Sequence, residues 1–386
     1  MVNVAVYGVN NVSLYLKGLI DEVYNKYVAS VEGELLQVVC LVDFLGTTSE
    51  SLPGIDSITV SCEELARLYK MNLVEAVMIP TINHAGFHFI VTELLRMGVR
   101  IEDIYYTPRE YFGKETFKVS EVENLFIPYL ECGYLPYLEY HVADHCNLNC
   151  KACEHYSPLV TEPHFSDYEK FAEDLDRLTD FISDIGVIRI LGGEPLLNPE
   201  LHKYVKLTRE KYPYAFIAVV TNGLLVKQMS EELINAIKEN DAYVHISWYP
   251  PLEGKQEKIL EFLVSKGMKC TNNMGFTENF TVKQGLEGDT DKDSIFLKCF
   301  QAHCNNLYEG KVAACFLPFV TKYFNDTFGK ALPTDESLDL YNMDLTTEKL
   351  KRFLLTSIER CKFCKEPKDI KWELAQKVPV ISDWVI

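Results

Sequence analysis

Three thiols fall within eight residues of one another in the run Cys146-Asn147-Leu148-Asn149-Cys150-Lys151-Ala152-Cys153. Thiolates are the ligands of iron–sulfur clusters, and three of them on a cluster with four corner irons leave one iron open to a ligand that is not protein. A structural zinc also takes Cys, but it closes a tetrahedron of four ligands. His155 would then be the fourth, although the pair of Cys-x-x-Cys spacings usual for zinc is absent from this group. A second group follows: Cys299, Cys304, Cys315, Cys361 and Cys364. Cys315, Cys361 and Cys364, with either Cys299 or Cys304, could close a second cluster or a structural zinc, and the Cys361-x-x-Cys364 pair suits both. The two groups hold eight of the twelve cysteines. Cys40, Cys62, Cys132 and Cys270 are isolated and read as small buried hydrophobes.

Downstream of the first group, Gly192-Gly193-Glu194-Pro195 follows a short apolar run, Val187 to Leu191. Alone it would be a tight strand-to-helix turn. Thr221-Asn222-Gly223 ends the next apolar run, and Ser247 the one after. Taken in this order, the motifs resemble the radical S-adenosylmethionine superfamily over residues 138–366. The resemblance implies that the amino and carboxylate groups of S-adenosylmethionine chelate the open iron of a [4Fe–4S] cluster held by Cys146, Cys150 and Cys153. One electron then cleaves a carbon–sulfur bond, and the 5′-deoxyadenosyl radical abstracts a substrate hydrogen. Gly192 and Gly193 would give close backbone approach to the methionine amino group, and Glu194 would accept from it. Thr221, Asn222 and Ser247 would line the ribose or carboxylate. The residue before the third cysteine, often aromatic in this superfamily, is Ala152, so adenine packing falls to Tyr156 or elsewhere. His155 and Tyr156 are the candidates to face the substrate; a histidine in such a loop also serves as a hydrogen-bonded structural residue. Ten residues separate Cys299 from Gly310 and four separate Gly310 from Cys315. That spacing resembles the opening of the SPASM or twitch extension, and the one-cluster twitch form, with an auxiliary [4Fe–4S] cluster, fits the cysteines up to Cys364 better.

The elements that must carry these residues alternate strand and helix. Val2, Val4 and Val6 alternate up to Gly8; the apolar runs Leu35 to Val42 and Val74 to Ile79 end at Asp43 and Pro80; Ser61 and Glu64 make a capping box for a helix through Tyr69. Residues 1–118 are expected as a Rossmann-like parallel α/β domain. Its first turn, Gly8-Val9-Asn10-Asn11-Val12-Ser13, keeps only the first glycine of the dinucleotide fingerprint. Pro128, Gly133 and Pro136 mark residues 119–136 as a connection. Residues 137–290 repeat strand then helix: Leu138 to Val142 leads into the first cysteines, and Ser166 with Glu169 is expected to cap a helix that puts Phe171, Leu175, Leu178 and Ile182 on one face. Asn198 and Pro199 suit the start of the next helix. The pattern predicts an α/β fold with a partial (β/α)6 barrel whose ligands collect at the carboxyl ends of the strands. Residues 291–386 are left as a small cluster-binding extension and tail.

The 386 residues carry 38 Lys plus Arg against 56 Asp plus Glu, a formal charge of −18 that argues against nucleic acid and anionic membrane as partners. No signal peptide or membrane span is expected, and a cytoplasmic, reducing setting suits cysteines that bind metal. The expected function is hydrogen abstraction from a small polar, sugar- or cyclitol-like molecule, as a dehydrogenation or epimerisation in polysaccharide or natural-product biosynthesis. Flavodoxin or ferredoxin would donate the electron. Two other readings stay open: a peptide-modifying enzyme, against which the βαβ pattern at the start argues, and a non-catalytic iron–sulfur sensor or cluster carrier.

Overall fold

The computed structural model describes residues 1–8, 11–43, 58–80, 90–271 and 275–386. They divide into two compact units that meet in sequence between Tyr134 and Leu135. In the first unit, β1 (Val2–Tyr7), β2 (Leu36–Asp43), β3 (Ile58–Ser61), β4 (Ala76–Pro80), β5 (Ile104–Thr107) and β6 (Ile127–Pro128) form one sheet in the order β3-β2-β1-β4-β5-β6. The pairs are parallel except β5 with β6. Strand order that runs outward from β1 in both directions is the doubly wound arrangement, in which ligands collect where the order reverses. The fingerprint turn after Gly8 lies largely outside the described residues. Ser61 caps the helix Cys62–Lys70 as expected, its Oγ accepting from Glu64 N at 3.2 Å. Residues 119–136 prove to be more than a connection. They hold the helix Val119–Glu123 and strand β6, because Val122 and Leu125 bury into the same core as Val4, Leu16 and Met78.

The second unit holds β7 (Tyr134–Ala143), β8 (Asp184–Gly192), β9 (Phe216–Thr221), β10 (Tyr243–Ile246) and β11 (Lys269–Cys270), with helices Tyr168–Thr179, Leu201–Lys211, Glu231–Glu239 and Gln256–Ser265 between successive strands. These strands lie side by side in chain order, and β8 to β11 pair in parallel. The next strand, β12 (Asn279–Gln284), does not extend this series as a sixth barrel strand but forms an antiparallel ribbon with the late strand β16 (Cys364–Lys371). Beside β7 the sheet continues through β13 (Asn306–Tyr308), β14 (Lys311–Ala313) and β15 (Leu338–Asp339), with β13 parallel to β7. Phe171, Leu175, Leu178 and Ile182 are all buried in the core of this unit, as their helical spacing required. Two helix starts shift from expectation. Asp167, not Ser166, is the cap of Tyr168–Thr179, accepting from Lys170 N at 2.8 Å, because the Ser166 hydroxyl is taken by the carbonyl of His141. The helix predicted from Asn198 and Pro199 begins at Leu201, since Asn198 instead ties this turn to β7 by donating to Val142 O at 2.8 Å. Among the described residues no helix is long and apolar enough to cross a membrane.

Candidate active site

The first cysteine loop leaves the carboxyl end of β7, and backbone contacts clamp it on two sides. On one, Gly193 N donates to Ala143 O at 2.7 Å and Glu194 N to His145 O at 3.1 Å. This approach requires glycine: a Cβ on Gly192 would lie 2.0 Å from Ala143 O, and one on Gly193 2.2 Å from His145 O. On the other, Lys151 N donates to Glu373 O at 2.9 Å and Ala375 N to Asn149 O at 2.8 Å, so the chain's last segment braces the loop. From the end of β9, Asn222 Nδ2 donates to Asn147 Oδ1 at 2.7 Å and reaches Cys146 Sγ at 3.5 Å.

The loop opens on a cavity of about 640 Å³. Cys146, Cys150 and Cys153 line it. So do Gly192, Gly193, Thr221, Asn222, Ser247 and His155. Burial pushes the Cys146 thiol up to about 12 and raises Cys150 and Cys153 as well, with neighbouring thiols adding to the shift for Cys146 and Cys150. Thiolates gathered here need a compensating cation, which is what bound iron provides.

Two expected residues lie elsewhere. Glu194 is fully buried and outside the cavity wall. Its carboxylate accepts from Thr221 Oγ1 at 2.7 Å, Leu196 N at 3.0 Å and Asn222 N at 2.8 Å, fastening the end of β8 to that of β9. Burial nonetheless holds its pKa up at about 7, against the pull of those three donors. Tyr156 is buried with φ 53°, donates to Gln284 Oε1 at 3.1 Å and packs on Phe324 at 5.2 Å, away from the cavity. His155 does face it. Its ring lies 4.2 Å from that of Phe316 and 4.9 Å from that of His141; its Nε2 is buried without a hydrogen-bond partner, and burial keeps the imidazole neutral.

The sequence reading missed Tyr249 and Phe280, aromatic rings 5.3 Å apart in the cavity wall that can take the part given to Tyr156. The signal for Tyr249 was present in its position two residues after Ser247. It also missed the polar floor, where Glu139 on β7 and Arg189 on β8 point inward.

Four of the five later cysteines, Cys299, Cys315, Cys361 and Cys364, line one small second cavity, while Cys304 packs apart from it with Tyr137 and Val187. Burial raises Cys361 to about 11 and lifts Cys315 and Cys364, with neighbouring thiols contributing. Cys299 and Cys364 line the large cavity too. Among the described residues, no three Cys, His, Asp or Glu side chains stand close enough to share a single metal ion. The donor sets, three thiols and then four, fit an open and a closed iron–sulfur cluster.

Residues 140–248 match the model of the Radical SAM superfamily. A GTP 3′,8-cyclase of Nautilia profundicola is 34% identical over 26% of this chain and 32% of its own length. A 7,8-dihydro-6-hydroxymethylpterin dimethyltransferase of Methanocaldococcus jannaschii is 29% identical over 41% of this chain and 31% of its own. The chain thus spans about a third of the length of these relatives. Among solved structures, BtrN in complex with AdoMet and 2-DOIA aligns at 18% identity and a TM-score of 0.38, covering 60% of this chain and 92% of BtrN.

Proposed function

We propose that this chain, whose residues 140–248 match the Radical SAM superfamily, is a radical SAM enzyme that cleaves S-adenosylmethionine at a [4Fe–4S] cluster on Cys146, Cys150 and Cys153 and abstracts hydrogen from a small polar, sugar- or cyclitol-like molecule. The observation that carries this reading is the shared cavity, walled at once by those three cysteines and by Cys299 and Cys364 of the second group. When bound, the cluster supplies the electron that turns S-adenosylmethionine into a hydrogen-abstracting radical. The chain's own residues do the aiming. Gly192 and Gly193 offer backbone without side chains to the methionine end, Thr221, Asn222 and Ser247 offer hydroxyl and amide groups, and Tyr249 and Phe280 offer apolar faces to the adenine. His155 lines the same cavity, and Glu139 and Arg189 add polar contacts suited to hydroxyl groups.

The second cavity favours Cys299 over Cys304 as the fourth ligand of an auxiliary [4Fe–4S] cluster. Four protein thiolates leave no iron open for substrate, so its task is to take an electron, and the net reaction is a dehydrogenation. A flavodoxin or ferredoxin supplies the first electron. The test is anaerobic reconstitution with dithionite and S-adenosylmethionine, followed by chromatography for 5′-deoxyadenosine. The wild-type chain should produce it and the variant with Cys146, Cys150 and Cys153 all replaced by Ala should not. Equal production by both would sink the proposal, and none from either would favour a non-catalytic iron–sulfur protein.

A further inference from the structure

Two cations are buried beside the second cysteine group. Lys283, on β12, is 7% exposed and Arg360 is 1% exposed, and both line the small cavity shared by Cys299, Cys315, Cys361 and Cys364. Lys283 lines the large cavity as well, the one cation among the described residues to line both. Its Nζ lies 3.3 Å from Glu154 Oε1 and donates to Gln301 Oε1, while Gln301 Nε2 donates to Glu154 Oε2 at 2.7 Å. Glu154 directly follows Cys153 and Gln301 is two residues past Cys299, so this closed triangle joins the two cysteine groups. Arg360 Nε donates to Thr321 Oγ1 at 3.2 Å and Nη2 to Gln284 Oε1; its Nη1 is buried with no partner.

Buried charge is tolerated where opposite charge compensates it. Two cations face one carboxylate partner with a buried oxygen, Glu154, while Glu336, whose carboxylate accepts from the backbone N of Glu359 and Arg360, is only half-buried; the buried charge is positive unless the occupant of the small cavity is anionic. Four thiolates on an oxidised [4Fe–4S] core carry a net negative charge, and one added electron increases it without making or breaking a bond. We propose that Lys283, seconded by Arg360, is the positioning residue that sets the reduction potential of the auxiliary cluster, its buried charge favouring the reduced form so that the cluster takes an electron from the large-cavity side. Glu154 opposes it, so the pair sets the balance. The inference rests on the auxiliary cluster of the proposed function.

The experiment isolates that cluster in the full chain with Cys146, Cys150 and Cys153 replaced by Ala, reconstituted anaerobically and titrated with dithionite while the reduced cluster is followed by electron paramagnetic resonance. In this background Lys283→Gln should make one-electron reduction at least about tenfold less favourable, which is about 59 mV more negative. Glu154→Gln should move the potential the opposite way, and Lys283→Arg should stay near the parent. Opposite signs are what charge predicts and what loosened packing would not give. Four irons per chain with the same potential in all variants would overturn the inference and leave the auxiliary cluster standing. One zinc and no iron in the parent would overturn both. If Lys283→Gln fails to fold, Glu154→Gln decides: an unmoved or more negative potential refutes the proposal.

Discussion

A side chain at Gly193 would meet backbone at three points, and Gly193→Ala tests whether backbone contact between β8 and the cysteine loop builds the cluster site. The added Cβ would meet His145 O at 2.2 Å, His145 C at 2.5 Å and Asp144 O at 2.7 Å, all of it backbone with no flexible side chain to yield. Ordinary contact begins near 3.4 Å, so the loop must back away by more than 1 Å. That displacement breaks the hydrogen bonds from Gly193 N to Ala143 O and from Glu194 N to His145 O. Overpacking costs about 1–3 kcal/mol and each lost backbone bond about 0.5–1.5 kcal/mol, together about 2–6 kcal/mol. A domain stable by about 5–15 kcal/mol can survive such a loss, but a loop displaced at its root cannot keep three thiols on one cluster. Urea unfolding of the apo chain and iron content after anaerobic reconstitution measure the two effects. Gly18→Ala is the control, since a Cβ there has nothing within 4 Å and the position is in the helix Asn11–Leu19. It should be neutral or stabilise by up to about 1 kcal/mol. A Gly193→Ala chain with full iron content and stability within about 0.5 kcal/mol of wild type would refute the reasoning.

Glu194 gives a pH signature. Its pKa rises on folding from the ordinary 4.5 to about 7, so in that window the unfolded chain ionises while the folded chain keeps the proton. This contribution to stability is full below 4.5 and is lost as pH rises toward 7, about 3 kcal/mol in all. Glu194→Gln lacks it, so urea midpoints at pH 5 and pH 7.5 should show the wild type losing more stability with pH than the variant; parallel profiles would count against a buried, proton-holding Glu194. For the second group, Cys299→Ala in the Cys146/Cys150/Cys153 triple-Ala background should lose the remaining four irons, whereas Cys304→Ala should keep them. Iron retained in the first and lost in the second would reverse the ligand assignment.

How far the fold could be read from sequence depended on whether the signal was local. The helical spacing of Phe171, Leu175, Leu178 and Ile182 reports a buried face directly and holds in the structure; the alternation of Val2, Val4 and Val6 marks a strand, but Ala5 and Tyr7 are buried as well, so β1 is covered on both faces. Caps failed where two hydroxyl or carboxyl residues competed: Ser166 and Asp167 are equally good by type, and only the carbonyl of His141, from another strand, decides between them. The helix and strand within 119–136 were hidden because Val119–Glu123 and Ile127–Pro128 are five and two residues long, too short to show a period. Strand β12 escaped the sequence reading for a different reason. Nothing in its six residues specifies a neighbour, and its partner β16 lies some eighty residues later in the chain.

The site shows the same division with more consequence. Cysteines and glycines declare themselves because few other residue types can do what they do, so the thiols of the large cavity and its bare backbone at Gly192 and Gly193 were legible in order. The choice between Cys299 and Cys304 was not, since only four residues separate them and either could reach Cys315 in an unfolded chain. The structure separates them by neighbours: Cys304 sinks against Tyr137 and Val187 while Cys299 turns toward Lys283 and the other three thiols. Lys283 itself reads in sequence as one more charged residue in a polar strand, and Glu154 as a residue that merely follows a cysteine. Their function is in their juxtaposition. A lysine becomes a lever on a reduction potential only when it is buried 3.3 Å from one carboxylate and beside four thiols, and every one of those neighbours comes from a different stretch of chain from its own.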